Sequence, residues 1–333
     1  MIDLKNKSIL LIAPTFFGYE ESIKNRLSEL GANVDYFDER PANNFWSKAL
    51  LRLNRRFLSF HINEYYNSIY NIVKKGVYNY VLVINIEAMP YWFLEQLKEC
   101  NPGCQFILYM WDSIQNKKNA INYFPFFDII YSFDESDCQK YVEIKFRPLF
   151  FLNEYKEISD YHDFEYDLAF VGTAHSDRFL LIQRIREQIE ANKWVSYWFL
   201  YLQNWKLFVW NKLNNRSFKN ARFRDFHYKS LSKKDIFDLI KRTKIILDIQ
   251  HPNQIGLTMR AIEMLGAKRK LITTNNAIKN YDFYSPNNIL VIDRNDPKIP
   301  IDFSFSEYES INDELYFKYS LDGWLKDIFS QYN

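Results

Sequence analysis

Residues 248–275 combine groups that can bind phosphate and ribose. Gly256 is predicted to open a helix there, and backbone N–H groups at a helix N-terminus attract phosphate oxygens. Arg260 lies four residues after Gly256 and three before Glu263, so we expect the three residues to lie on one face of the helix. On that face, Arg260 can neutralise the charge of a diphosphate, and Glu263 can accept hydrogen bonds from both ribose hydroxyls. The alternative is a surface Arg–Glu pair on an ordinary amphipathic helix. The candidate nucleotide-binding residues of this segment are Gln250, His251, Gly256, Leu257, Thr258, Arg260 and Glu263.

Residues 170–178 form a second candidate, with the pattern strand, glycine, polar loop and helix start. Gly172 permits close approach of a ligand to the backbone, and Ser176 or Asp177 can cap the following helix. The alternative is a well-formed strand-to-helix turn, in which His175 is a solvated loop histidine. The candidate nucleotide-binding residues here are Gly172, Thr173, His175 and Arg178.

The elements that position these residues alternate between apolar strands and amphipathic helices. In the first half, we predict strands at residues 8–15, 34–37, 80–86, 105–111, 129–133 and 146–151, with helices at 19–30 and 92–100. In the second half, we predict strands at 167–171, 244–250, 271–274 and 289–292, with helices at 177–191, 233–242 and 257–265. Continuous apolar strands alternating with helices predict βαβ units and parallel sheets.

The polar, acidic segment 153–166 shows no apolar periodicity and is predicted to be an interdomain linker. The predicted organisation is an N-terminal α/β domain at 1–152, a C-terminal α/β domain at 167–318, and a C-terminal helix at 319–333 that packs back on the first domain. Two such domains are expected to face a cleft, with ligands at the carboxyl ends of the strands.

Composition excludes several classes of protein. The 333 residues carry 43 Lys or Arg against 41 Asp or Glu, a net charge of +2, which gives no reason to expect nucleic-acid binding. Three cysteines argue against a disulfide framework, and the sequence has no apolar run of about 20 residues. The sequence also has no P-loop, dinucleotide fingerprint or Gly-x-Ser-x-Gly elbow. We therefore expect a cytoplasmic protein.

The two candidate segments resemble the nucleotide-sugar-binding half of GT-B glycosyltransferases, especially the CgeB-like group found in bacterial surface-polysaccharide clusters. The matching residues are 170–173, 256–263 and 270–275, and the N-terminal half of the group is similar at 109–113 and 131–134. The wider superfamily often has two glutamates about eight residues apart, whereas here Glu263 is present and residues 254–256 occupy the earlier place. The resemblance covers about residues 9–294.

The resemblance implies an α/β protein of the GT-B type, with two Rossmann-type domains, that transfers a sugar from a nucleotide-sugar donor to a glycan or lipid-linked acceptor. The implied pathway is assembly of capsule, exopolysaccharide or lipopolysaccharide. No cofactor and no essential metal are expected, in agreement with the absence of an Asp-x-Asp motif. The alternatives are a sugar-nucleotide epimerase of the same fold and a non-catalytic module that binds a nucleotide or glycan.

An inverting transferase needs a base near the acceptor hydroxyl, which we expect at the strand ends of the first domain. The candidates are Asp112, Glu87 and Glu20, in that order. Each is also a candidate helix cap or solvated carboxylate, and a retaining mechanism would not need such a base.

Residues 194–224 begin with a run rich in Trp, Tyr and Phe and continue with basic residues. Aromatic residues beside a basic run are typical of an element that contacts anionic lipid at the inner face of a membrane. The alternative is a buried strand or helix followed by a solvated basic insert.

Overall fold

The computed structural model describes residues 3–41, 55–252 and 255–330. The chain divides into two compact units, Met1–Leu149 together with Leu321–Asn333, and Phe150–Ser320. Each unit contains one parallel β-sheet with surrounding helices, which confirms the predicted fold class.

The first unit contains a six-stranded sheet of order β2-β1-β3-β4-β5-β6, in which every neighbouring pair is parallel. Its strands are β1 Ser8–Ile12, β2 Asn33–Phe37, β3 Tyr80–Ile84, β4 Gln105–Met110, β5 Ile129–Ser132 and β6 Ile144–Phe146. Its helices before the second unit are α1 Tyr19–Glu29, α2 Arg55–Val73, α3 Tyr91–Cys100 and α4 Glu135–Lys140.

The central strands of this sheet follow the apolar runs of the sequence. Residues 81–84 of β3 and 106–110 of β4 are buried along their whole length, as expected for parallel strands covered on both faces. Helix α1 is followed by Gly31 in the left-handed region, with φ of +90°, where the chain turns to enter β2.

The predicted strand at 146–151 is wrong, because the strand is Ile144–Phe146. The backbone N–H of Arg147 still donates to the carbonyl of Ser132, but Pro148 has no N–H with which to continue the ladder. Phe150, Phe151 and Leu152 are buried for a different reason, since they belong to the second unit.

The second unit contains a five-stranded sheet of order β11-β10-β9-β7-β8, again with every neighbouring pair parallel. Its strands are β7 Tyr166–Thr173, β8 Ser196–Tyr201, β9 Thr243–Asp248, β10 Lys270–Thr273 and β11 Ile289–Val291. Its helices are α5 Asn153–Glu157, α6 Arg178–Ala191, α7 Trp205–Asn214, α8 Lys233–Lys241, α9 Met259–Ala267, α10 Asp302–Phe305 and α11 Asp313–Lys318.

The segment predicted as a linker, 153–166, is packed within the second unit. It contains α5, and both Tyr155 and Ile158 are buried. The guanidinium of Arg269 donates to the carbonyls of Ile158 and Tyr161 at 2.9 and 3.0 Å, which fastens the segment to the end of α9. Helix α12, Leu321–Phe329, belongs to the first unit, where Trp324 packs edge-on against Tyr109 with ring centroids 4.9 Å apart.

None of the helices in the described ranges is both long enough and apolar enough to span a membrane.

Candidate functional site

The candidate site lies at the carboxyl edge of the second sheet, where β7, β9 and β10 end in polar residues and the chain after β11 becomes polar from Asp293 onward. Because β7, β9, β10 and β11 are parallel, their carboxyl ends lie at one edge. Helices α6 and α9 also begin there, so the positive ends of two helix dipoles lie at the same edge. Three arginines belong to it, and we call the group formed by Arg178, Arg260 and Arg294 the arginine edge.

Arg178 holds two loops of the arginine edge together. Its Nε donates to the carbonyl of Ile249 at 2.7 Å, and its Nη1 donates to the carbonyl of Thr173 at 3.0 Å. Burial lowers the pKa of Arg178. A Cβ on Gly172 would lie 2.8 Å from the ring of Phe170 and 3.2 Å from Nη1 of Arg178. Gly172 therefore allows side chains of its own chain to approach, a role that the sequence analysis did not predict.

Arg294 is a site residue that the sequence analysis missed. Its Nε and Nη2 donate to the two carboxylate oxygens of Asp177 at 2.6 and 2.9 Å, and Nη2 also donates to the carbonyl of Gln250 at 2.9 Å. The hydrogen bonds from Arg294 lower the pKa of Asp177. Its position could have indicated a role in the site, because Arg294 lies just after the carboxyl end of the predicted strand 289–292.

Helix α9 begins later than predicted. Thr258 is its N-cap, since the Thr258 hydroxyl accepts the N–H of Ala261 at 3.2 Å and donates to the Asp248 carboxylate at 2.9 Å. Gly256 therefore lies before the helix and does not share a face with Arg260. The side chain of Asn275 donates to the carbonyls of Ile255 and Gly256 and so fixes this turn.

Other residues of the predicted segment take ordered places beside this turn. Leu257 is buried, and the amide of Gln250 exchanges hydrogen bonds with Thr274 at the end of β10. Burial raises the pKa of Asp248, against the opposing effects of the Thr258 hydroxyl and of the charges on Arg178 and Arg260. Of residues 254–256, which occupy the place of the earlier glutamate in the superfamily that the sequence resembles, Gln254 lies outside the described residues.

The predicted Arg–Glu pair is formed. A guanidinium nitrogen of Arg260 lies 3.1 Å from a carboxylate oxygen of Glu263, and their side chains are 20% and 8% exposed. The hydroxyl of Tyr155 is also hydrogen-bonded to Glu263, and burial together with that carboxylate raises the pKa of Tyr155. Arg260 and Tyr155 therefore both hold the Glu263 carboxylate.

His175 is half-buried rather than solvated. Its ring centroid lies 5.4 Å from that of His251, and its Nδ1 lies 3.2 Å from the Ser176 hydroxyl. Burial, which is the largest cause, and the charges of Arg178, His251 and Arg294 together lower the pKa of His175 to about 4. His175 is therefore neutral at pH 7, and its pKa reports a positive potential at the arginine edge.

The three carboxylates predicted as candidate bases lie in the first unit with different surroundings. Glu20 is buried and accepts the backbone N–H of Phe16 at 2.9 Å, which holds the turn after β1. Glu87 forms an ion pair of 2.6 Å with Lys117. Asp112 accepts the side-chain amide of Asn116 at 2.9 Å. All three follow or adjoin the carboxyl ends of strands, as predicted, and their catalytic role stays a prediction.

The structure adds a fourth carboxylate, Glu39, to this edge of the first sheet. Glu39 is fully buried, and its Oε1 accepts the backbone N–H groups of Glu87, Ala88 and Met89. Burial raises the pKa of Glu39 to about 7, although these three hydrogen bonds act in the opposite direction. The sequence analysis did not single out Glu39, because a single Glu after a strand is ordinarily solvated.

The raised pKa of Glu39 predicts that the first unit becomes less stable as pH rises from about 5 to 8. The folded carboxyl keeps its proton up to about pH 7, whereas the unfolded one releases it near 4.5, so the stabilisation present at low pH is lost as pH rises through 7. The shift corresponds to about 3 kcal/mol.

Glu39→Gln is expected to remove this dependence of stability on pH in urea unfolding curves measured at pH 5 and pH 8. Glu21→Gln, on an exposed carboxylate of α1, is the control, and an unaltered dependence in Glu39→Gln would contradict the assignment.

No family model and no curated protein matches the chain. Several solved structures are similar to it. An α,α-trehalose 6-phosphate synthase from Burkholderia multivorans is similar over 98% of this chain and 97% of its own, with a TM-score of 0.62 and 10% identity. A sucrose-phosphate synthase from Thermosynechococcus elongatus is similar over 87% of both chains, with a TM-score of 0.55 and 9% identity. The chain has the GT-B fold.

A UDP-GlcNAc 2-epimerase from Methanocaldococcus jannaschii is also similar, over 97% of this chain and 99% of its own, with a TM-score of 0.53 and 8% identity. At such identities the likenesses show the fold alone. The fold therefore agrees with the resemblance read from the sequence, and the activity has to be argued from the site.

Proposed function

We propose that the chain is a glycosyltransferase that uses a nucleotide-sugar donor and binds the donor diphosphate at the arginine edge. The observation that carries the proposal is the meeting of three arginines and two helix N-termini at one carboxyl edge of the second sheet. Preorganised donors of this kind stabilise the negative charge that develops on a departing nucleoside diphosphate.

The parts of the edge have separate roles in this proposal. Arg260, at the first turn of α9, contacts the diphosphate. Arg178 and Arg294 act mainly as positioning residues, since both are engaged by carbonyls or by Asp177. Glu263 accepts the ribose hydroxyls, while Arg260 and Tyr155 hold its carboxylate in place.

The finer parts of the proposal rest on the sequence resemblance. They are membership of the CgeB-like group, a glycan or lipid-linked acceptor in capsule, exopolysaccharide or lipopolysaccharide assembly, independence of metal ions, and location in the cytoplasm. Asp112 is the first candidate for the base of an inverting reaction, followed by Glu87. Glu20 is the weakest of the three, because it is buried and already holds a turn.

Sugar-nucleotide epimerisation is the second candidate function, since the UDP-GlcNAc 2-epimerase has the same fold. The two reactions differ in the bond that is broken. Epimerisation breaks a C–H bond of the sugar and exchanges that hydrogen with solvent, whereas glycosyl transfer leaves the sugar's C–H bonds intact and releases nucleoside diphosphate. The two reactions can be distinguished by incubating the chain with nucleotide sugars in D₂O, with and without acceptor. The masses of the products are then measured by mass spectrometry. Acceptor-dependent release of nucleoside diphosphate without deuterium in the sugar supports the transferase, and deuterium in the sugar supports the epimerase.

Diphosphate binding is expected to raise the pKa of His175. The positive charges of Arg178 and Arg294 contribute to its low value of about 4, and a bound anion opposes them. The measurement is an NMR titration of the His175 ring between pH 3 and 7 with and without the nucleoside diphosphate that binds best. His162, on residues 153–166, is the internal control, and a His175 pKa that does not move on saturation would place the anion elsewhere.

A further inference from the structure

The aromatic and basic segment of the second unit is divided by the structure into two different elements. Residues 196–201 form β8, the edge strand of the second sheet, where Phe199 and Leu200 are buried. Residues 205–214 form α7, in which every residue is at least partly exposed. The first half of the aromatic run therefore belongs to the sheet, in agreement with the buried strand of the alternative interpretation, and contact of the segment with a membrane stays a prediction.

Helix α7 exposes its apolar residues on the side that faces away from the core. Leu207 and Phe208 pack against the core of the second unit. By contrast, the exposed fractions of four other apolar residues are 58% for Trp205, 44% for Val209, 60% for Trp210 and 80% for Leu213. At 3.6 residues per turn these four fall within an arc of about 140°, together with Lys206. An apolar surface of this kind on one helix marks an interaction site.

The chain segment that contains this helix is rich in basic residues. Residues 203–229 contain seven Lys or Arg against one Asp, although the whole chain has a net charge of only +2. The exposed basic side chains of this segment are those of Lys206, Lys212, Arg216, Lys219, Arg222, Arg224 and Lys229. The carboxylate of Asp225 accepts the backbone N–H of Arg222 at 2.7 Å, so it caps the local turn.

The basic segment is held along α7 by specific contacts. The Nζ of Lys212 donates to the carbonyls of Lys219 and Ala221 at 2.7 and 2.6 Å. The rings of Phe208 and Phe223 meet edge-on with centroids 5.7 Å apart. The basic segment therefore packs beside α7, and we call the exposed apolar residues of α7 together with the exposed cations of residues 206–229 the α7 surface.

We propose that the α7 surface docks on a bilayer that contains anionic lipid. Trp side chains favour the boundary between headgroups and acyl chains, and exposed Leu and Val add apolar area that can enter it. Lys and Arg beside them are attracted to anionic headgroups. A second copy of the chain is a poorer occupant, because a symmetric contact would bring two strongly positive segments together. This proposal stands on residues outside the arginine edge and does not depend on the donor.

The test is co-sedimentation of the full chain with vesicles of phosphatidylcholine alone or mixed 3:1 with phosphatidylglycerol, in 0.1 M and 0.5 M NaCl. We expect binding to the mixed vesicles at low salt, at least tenfold weaker binding at high salt, and little binding to phosphatidylcholine alone. The double variant Trp205→Ser/Trp210→Ser removes the aromatic part of the surface. The quadruple variant Arg216→Ser/Lys219→Ser/Arg222→Ser/Arg224→Ser removes most of its charge. Each is expected to weaken binding about tenfold or more.

Matched controls lie on the same unit. Phe305→Ser replaces an aromatic residue that is 73% exposed, and Lys156→Ser/Lys279→Ser removes two exposed charges elsewhere. Both controls are expected to bind as the unmodified chain does, and unchanged thermal unfolding shows that a variant is folded. Equal binding by the unmodified chain and both α7 variants would overturn the proposal. So would a dimer, seen by light scattering, that the Trp205→Ser/Trp210→Ser variant loses, because that result assigns the face to a second copy. Failure here leaves nucleotide binding untouched and is thus distinct from failure of the proposed function.

Discussion

Replacing Arg260 with alanine is expected to weaken binding of a nucleoside diphosphate about 10- to 150-fold. This range corresponds to about 1.5–3 kcal/mol, the contribution of a hydrogen bond to a charged group. Arg260 lies in the first turn of α9, where the helix dipole adds to its charge, and its partner Glu263 is nearly buried. Isothermal titration of the unmodified chain and the Arg260→Ala variant with the same nucleotide measures the loss directly.

The control for Arg260 has to separate a local role from the general charge of the unit. Arg216→Ala removes an exposed arginine of the same unit that lies outside the arginine edge, and it is expected to leave nucleotide affinity unchanged. Arg260→Lys keeps the charge without the planar fork and is expected to recover only part of the affinity. An Arg260→Ala variant that folds normally and binds as tightly as the unmodified chain would remove Arg260 from the site.

Gly266→Ala is expected to destabilise the second unit by about 1–3 kcal/mol, the usual cost of overpacking a core. An added Cβ would lie 2.5 Å from Cγ of Phe151 and 2.8 Å from its Cβ. The ring of Phe151 has little freedom to retreat, because the residue is fully buried, its ring lies against that of Tyr316, and its N–H donates to the carbonyl of Tyr319 at 2.9 Å.

The sign of this effect is informative, because glycine in a helix interior is otherwise inferior to alanine by about 1 kcal/mol. Without the clash, Gly266→Ala would therefore stabilise α9. The double variant Gly266→Ala/Phe151→Leu provides the matched test, since a smaller residue at 151 is expected to relieve the clash and give a favourable coupling energy. Urea unfolding of the two single variants and the double variant measures this coupling energy, and a stabilised Gly266→Ala variant would contradict the packing described for α9.

Since Arg260 and Glu263 lie on α9, we also expect weaker nucleotide binding by the Gly266→Ala variant.

Buried strands were the part of the fold most open to prediction from sequence. Residues 80–86 and 105–111 are continuous apolar runs, and the structure places strands at Tyr80–Ile84 and Gln105–Met110. The predicted strands run on past the observed carboxyl ends because burial continues beyond the ladder, as at Ile86. An apolar pattern indicates that residues are buried, whereas a strand also needs hydrogen-bond partners for its backbone. Pro148 has no backbone N–H, and β6 therefore ends before it.

The candidate site was partly predictable for a related reason. Arg260 and Glu263 were found because an i, i+3 pair on a helix can be read locally, and the structure forms it. Arg294 was missed because its partner Asp177 is 117 residues away in the chain, and that contact follows from the order of strands in the sheet. Glu39 was missed because its burial depends on the turn at residues 87–89, which is distant in sequence.

The central claim is that the arginine edge binds a nucleoside diphosphate, and thermal unfolding in the presence of UDP, GDP, ADP, CMP or dTDP, with and without EDTA, tests it most directly. A ligand of the native state at ~100 times its dissociation constant stabilises by about 2.7 kcal/mol. We predict that one nucleoside diphosphate raises the unfolding temperature, that EDTA does not remove the effect, and that the Arg260→Ala variant largely loses it. Stabilisation by none of these nucleotides, or equal stabilisation of the Arg260→Ala variant, would contradict the claim.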